Sequence, residues 1–185
     1  INTLSDFIIS FAKDSGLNPD TFYGVKEGAT KLGVITQNNW AKQSQNYSPG
    51  SHSLPMGRGS PKTHGDPKDR YFIGSFRKKT IILEDVATTA ASLLEQIIDV
   101  RELGVEIIAA IVLTDRMEST PYRYPWDSKE IFEKFRELFE KATGKKYNKV
   151  LSVEEAIREA GINYFALTTA LDLLPRAYKK HQPNE

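Results

Sequence analysis

No cysteine occurs among the 185 residues. Disulfides, thiolate catalysis and cysteine-ligated zinc are therefore excluded. No uninterrupted apolar run approaches the ~20 residues that span a bilayer, and no signal-peptide layout is visible. A membrane partner is not expected, and a cytoplasmic protein is. An excess of one charge is missing too, with 25 basic against 24 acidic residues. Non-specific nucleic-acid binding needs a broad basic field, so nucleic acid is not an expected partner. The local clusters Arg77-Lys78-Lys79 and Lys145-Lys146 read as solvated faces. No internal repeat and no linker divides the chain, and its length suits one domain, 1–185. It begins at Ile1 rather than methionine, as expected if natural N-terminal sequence precedes it.

The most informative stretch runs from Thr80 to Ser92: Thr-Ile-Ile-Leu, then Glu84-Asp85, then Val-Ala-Thr-Thr-Ala-Ala-Ser. The apolar run reads as a buried parallel strand over Thr80–Leu83 that ends in two carboxylates. A short loop of small and hydroxyl residues follows, and a helix begins at about Thr89 and stops at Gly104. Such a loop suits a phosphate, because unpaired backbone N–H groups and the positive end of the helix dipole converge there. Adjacent carboxylates accept hydrogen bonds from sugar hydroxyls. Together these are the partners a ribose 5-phosphate requires.

The remaining pattern alternates helices and strands. Helices are expected over Asn2–Ser15, from the Lys26–Thr30 segment to Trp40, from Asp127 to Ala142, from Ser152 to Gly161, and over Thr168–Tyr178 with Pro175 inside. Asp127 with Glu130, and Ser152 with Glu155, have the spacing of capping boxes. Ile131, Phe132, Phe135, Leu138 and Phe139 form an apolar stripe expected to face a core or a partner copy. Strands are expected over Asp20–Val25, His52–Arg58, Tyr71–Ile73, Val105–Thr114 and Ile162–Leu167. Residues 57–69 contain no large apolar side chain and should be mobile. His52 and His181 show no partner in sequence, and Tyr122, Tyr124 and Trp126 read as packing residues. The fold class is α/β, a mainly parallel twisted sheet flanked by helices, with ligands at the strands' carboxyl ends.

The Thr80–Ser92 segment resembles the phosphoribosyl-pyrophosphate signature of the type I phosphoribosyltransferases: an apolar run, two acids, a branched residue and a hydroxyl-rich loop. The resemblance implies that Glu84 and Asp85 hold the ribose hydroxyls. It also implies that Ala87, Thr88, Thr89, Ala90, Ala91 and Ser92 wrap the 5-phosphate. Ala90 and Ala91 stand where the family usually has a glycine, which relieves crowding and permits positive φ, so the loop is expected to hold the phosphate if its backbone stays in common conformations. Three further segments resemble the orotate branch. Arg58-Gly-Ser-Pro-Lys-Thr-His-Gly65 resembles its catalytic loop, with Arg58, Lys62 and His64 matching and Gly59 in place of a lysine. Thr114-Asp115-Arg116 resembles the pair whose arginine meets the orotate carboxylate. Lys26, Glu27 and Gly28 resemble its first pyrophosphate loop.

What the resemblance implies is an Mg²⁺-dependent transfer of phosphoribose from phosphoribosyl pyrophosphate to orotate, the metal riding on the pyrophosphate. Lys62, His64, Arg58 and Asp85 would be catalytic. It further implies a homodimer in which loop 58–65 reaches into the partner's site. The chain also departs from the family. The sequence from Ile1 does not show the family's extended N-terminal arm, as expected if it is truncated there, and a helical insertion is expected over about 121–148. Transfer to another base, or regulation by binding the donor without turnover, therefore stand as alternatives, and Asp115-Arg116 also reads as a simple strand-end ion pair.

Overall fold

The computed structural model describes residues 1–64, 70–121 and 128–181. Four parallel strands form the central sheet: β1 (Thr21–Gly24), β4 (Lys79–Ala87), β5 (Glu106–Asp115) and β6 (Asn163–Thr169), in the order β1-β4-β5-β6. The short strands β2 (Met56–Gly57) and β3 (Phe72–Ile73) pair antiparallel as a separate hairpin. The helices are α1 (Asn2–Asp14), α2 (Thr30–Lys42), α3 (Ala91–Arg101), α4 (Lys129–Thr143), α5 (Val153–Glu159) and α6 (Ala170–His181). No helix among the described residues is long and apolar enough to cross a membrane.

Alternation along the strands divides the core into two layers, because successive side chains leave a strand on opposite faces. Phe22, Ile81, Leu83, Ala109 and Ile111 pack with Ile8 and Ile9 of α1 and Leu32 of α2. Tyr23, Ile82, Ala110 and Val112 pack with Leu93, Leu94 and Ile97 of α3 and with Phe135 and Phe139 of α4. The outcome is a helix–sheet–helix sandwich, as the βα alternation implied.

Several boundaries differ from the sequence expectations. Strand β4 does not end at Leu83: Glu84 pairs with Val112, Val86 with Thr114 and Ala87 with Asp115, so the long partner β5 carries the ladder past both acids. Helix α3 starts at Ala91 and ends at Arg101, inside its expected limits. Of the mixed strand expected over His52–Arg58, only Met56–Gly57 forms. The N-cap of α4 is Ser128, whose hydroxyl accepts from Ile131 N at 3.2 Å. Asp127, expected in that role, lies outside the described residues, as do Gly65, Tyr122, Tyr124 and Trp126. Ile131 is exposed, Phe132 and Leu138 are partly buried against the core, and Phe135 and Phe139 are buried, so the stripe faces the core except at Ile131. The capping box at Ser152 and Glu155 forms as expected.

The segment carrying α4 is fastened by polar contacts. Tyr147 donates its hydroxyl to Pro121 O at 2.7 Å and sits 2.6 Å from Thr120 Oγ1, while its ring packs 4.9 Å from Phe135. Arg101, ending α3, donates to Ala142 O and Ala160 O, satisfying carbonyls at the ends of α4 and α5.

Candidate active site

Strands β1 and β4 are parallel neighbours, so the loops leaving their carboxyl ends lie side by side. The loop after β1 holds Lys26, Glu27 and Gly28 and feeds α2. The end of β4 holds Glu84 and Asp85, and residues 88–90 feed α3. The two loops touch: a Cβ at Gly28 would lie 2.3 Å from Asp85 Oδ2, so a side chain there would displace the Asp85 carboxylate. Neither α2 nor α3 has a side chain capping its N-terminus. Two uncapped helix starts, each with amides and a positive dipole end, thus flank the Glu84-Asp85 pair. A cup of about 20 Å³ lies over Glu84, Ala87, Thr88, Ala90, Ala91 and Ser92. That size suits one compact group rather than a ring.

The loop backbone leaves the common conformations at one residue. Ala90 is left-handed, with φ 66° and ψ −3°, instead of staying in a common region. Its small buried side chain is held by the surrounding core, and the conformation costs an alanine about 1–2 kcal/mol. The left-handed turn points the chain from the strand into α3, where Leu94 N reaches back to Ala90 O at 2.9 Å.

Glu84 is buried, and its carboxyl is pushed up to about 8, first by burial and then by the hydrogen bond and like charge of Asp85. Asp85 is half-buried and accepts from Val86 N at 2.9 Å. Behind the site, Tyr23 donates to Gln96 Oε1 at 2.5 Å, and burial raises its hydroxyl well above the ordinary tyrosine range. Asp99 on α3 is raised to about 6, mainly by burial, with the charge of Lys26 pulling the other way.

Asp115 and Arg116 do not pair with each other. Asp115 is buried and accepts from Tyr164 Oη at 2.7 Å and Met117 N at 2.7 Å, which fixes the turn beyond β5. Arg116 is exposed and pairs with Glu118 at 2.6 Å. Its backbone N donates to Ala87 O at 3.0 Å, anchoring it beside the end of β4.

The segment around Arg58 grows from the β2–β3 hairpin. Phe72 is buried and meets Tyr23 and Phe76 edge-on at 5.6 and 4.9 Å, so the hairpin base is fixed to the core. Arg58 donates from Nε to Phe72 O at 3.1 Å, and Lys62 N donates to Arg70 O at 2.8 Å. The side chains of Lys62 and His64 are exposed. No contact joins them to Glu84 or Asp85 among the described residues. The loop meets the site at Gly59 instead, where a Cβ would fall 2.9 Å from Glu27 Oε1. A glycine therefore fits against Glu27 where the family usually has a lysine.

No family model matches the chain. Its sequence is 30% identical over 125 residues to the orotate phosphoribosyltransferase of Bradyrhizobium diazoefficiens, covering 62% of this chain and 60% of that protein. Among solved structures it is similar to orotate phosphoribosyltransferase from Aeropyrum pernix, with a TM-score of 0.56 and 18% identity over 88% of this chain and 67% of that one. The Mycobacterium tuberculosis enzyme in complex with 5-phospho-α-D-ribosyl 1-diphosphate gives a TM-score of 0.54 and 15% identity over 93% of this chain and 74% of that one. The fold is that of a type I phosphoribosyltransferase. In that fold the β4–α3 turn is the segment that resembles the phosphoribosyltransferase signature, and the chain is similar to orotate phosphoribosyltransferases.

Sequence reasoning missed Tyr164, Gln96 and Glu118. The first two are ordinary core positions in a linear reading, and only their partners give them a role. Glu118 was legible as a carboxylate two residues beyond Arg116, close enough to compete for the guanidinium.

Proposed function

We propose that this chain is one phosphoribosyltransferase domain, with residues 121–148 inserted, that moves phosphoribose from phosphoribosyl pyrophosphate to orotate. The products are orotidine 5′-monophosphate and pyrophosphate. The observation that carries this reading is the acid pair Glu84-Asp85 lying between two uncapped helix starts. The amides of residues 87–92 would hold the 5-phosphate, the two acids the ribose hydroxyls, and Lys26, Glu27 and Gly28 the pyrophosphate end.

In the transfer, the bond from the anomeric carbon to the pyrophosphate oxygen breaks and a bond to the base nitrogen forms. Positive charge grows on the sugar and negative charge on the leaving group. Arg58 and Lys62 supply cations for the pyrophosphate, one as a planar fork and one as a compact charge. His64 would donate a hydrogen bond to the leaving oxygens. Loop closure would keep water from the sugar cation, with the loop crossing into a second copy's site in a homodimer.

The donor set suits a metal delivered with the substrate. No cluster of three or more His, Cys, Asp or Glu forms a cage among the described residues. Mg²⁺ commonly rests on substrate phosphates, waters and one or two carboxylates. When bound it would offset the charge gathering on pyrophosphate.

The test is orotate consumption followed by absorbance with Mg²⁺ and donor, beside a panel of other bases. Turnover of orotate supports the reading, and no turnover of any base at high protein concentration refutes a transferase. Donor binding without turnover would instead indicate a regulator. The Arg116–Glu118 ion pair favours a second reading, a base without a carboxylate, because Glu118 already occupies the guanidinium.

A further inference from the structure

A polar cleft lies at the opposite end of the sheet from the candidate active site. It measures about 490 Å³ and is built where α1 and α2 end and where β1 and β4 begin. Along β1 and its loop, the distance from Asp20 to Lys26 is roughly 20 Å at about 3.3 Å per residue. The cleft is therefore a separate place, within the volume range of small-molecule pockets.

Its charges are arranged for an anion. Lys13 and Arg77 both line it, and neither belongs to any of the ion pairs formed among the described residues. Arg77 spends Nη2 on Ser51 O at 2.7 Å, leaving Nε and Nη1 without a described partner. Lys13 Nζ donates to Gln43 Oε1 at 2.7 Å and stands 5.4 Å over the Trp40 ring. Asp20 is the only acid among the described lining residues, and its Oδ2 already accepts from Lys79 N at 3.0 Å.

Aromatic surface accompanies the cations. Trp40 is held edge-on to Phe22 at 5.7 Å and donates Nε1 to Pro19 O at 3.1 Å, so its ring is fixed. His52 is fixed as well, by Ser51 Oγ at 2.8 Å and the Tyr47 ring at 6.2 Å. Rings held in place beside Lys13 and Arg77, against the single carboxylate of Asp20 among the described lining residues, match a ligand with a planar ring and a phosphate.

We propose that this cleft binds a nucleoside 5′-monophosphate, with the phosphate on Arg77 and Lys13 and the base against Trp40 and His52. The site is independent of the transferase reading. Its ligand would also bridge Ser51 and Arg77, which lie on either side of the hairpin carrying Arg58 and Lys62.

Trp40 is one of two tryptophans, so Trp126→Phe leaves a fluorophore inside the cleft. That variant is titrated with UMP, AMP, uridine and inorganic phosphate while Trp40 emission is followed. A saturable change with UMP or AMP is expected, with none from uridine. Adding Arg77→Ala or Lys13→Gln should weaken binding about tenfold or more, the loss expected for one charge-assisted hydrogen bond. Asp85→Asn should leave the titration unchanged. The proposal is overturned by no saturable response to either nucleotide, by indifference to both cation substitutions, or by loss of the response in Asp85→Asn. Inorganic phosphate binding as tightly as the nucleotides would overturn the ring-bearing ligand. None of these results bears on orotate turnover, so the two readings fail separately.

Discussion

Replacing Glu84 with glutamine isolates the electrostatics of the candidate site. The carboxyl is buried and its pKa rises from 4.5 to about 8, so the native chain holds this proton more tightly than the unfolded chain. Its stabilising contribution is complete below about pH 4.5 and is lost as pH climbs through about 8. Across that window the ceiling is about 5 kcal/mol, from ~1.4 kcal/mol per pH unit. Solvent near the strand end and coupling to Asp85 bring the expected difference to the order of 2 kcal/mol. Glutamine keeps an N–H donor for Asp85 and removes the titration. Thermal melts of both proteins should therefore agree at pH 5, and at pH 9 the variant should melt about 4–8 °C higher, at ~2–4 °C per kcal/mol for this size. Parallel curves from pH 5 to 9 would refute the buried, protonated Glu84.

Ala90→Val should cost about 2 kcal/mol or more in chemical denaturation, because a branched side chain resists the left-handed conformation and the site is buried. A neutral result would mean that the turn into α3 is not left-handed. Ser152→Ala should lose about 1 kcal/mol by removing the capping box of α5, read by the same denaturation. Lys62→Ala should lower kcat about a hundredfold or more while donor affinity by calorimetry changes little, if its cation acts on the departing pyrophosphate. A loss confined to affinity would assign Lys62 to binding alone.

The parallel sheet and most helices were legible because buried strands and amphipathic helices leave distinct periodicities. The capping box at Ser152 was legible because its chemistry is local. The length of β4 was not: Glu84 and Asp85 look like a strand end in isolation, and only the ten-residue partner β5 carries pairing beyond them. Ser128 and Asp127 are adjacent cap formers, and the choice between them rests on which oxygen reaches Ile131 N. The acid pair and the hydroxyl-rich turn were readable as a linear motif, whereas the Gly28–Asp85 contact joins positions 57 residues apart (85 − 28). The polar cleft under the sheet had no linear signal, because it depends on pairings such as Lys13 with Gln43 and Arg77 with Ser51.

Backbone amide resonances titrated with ribose 5-phosphate test most directly the proposal that the turn from β4 to α3 holds a phosphate. The largest shifts should fall on Thr88 to Ser92 and on Glu27 and Gly28, and Asp85→Asn should weaken binding at least about tenfold. Saturating ligand that leaves those amides in place, or that binds Asp85→Asn as well as the unaltered chain, would contradict the account.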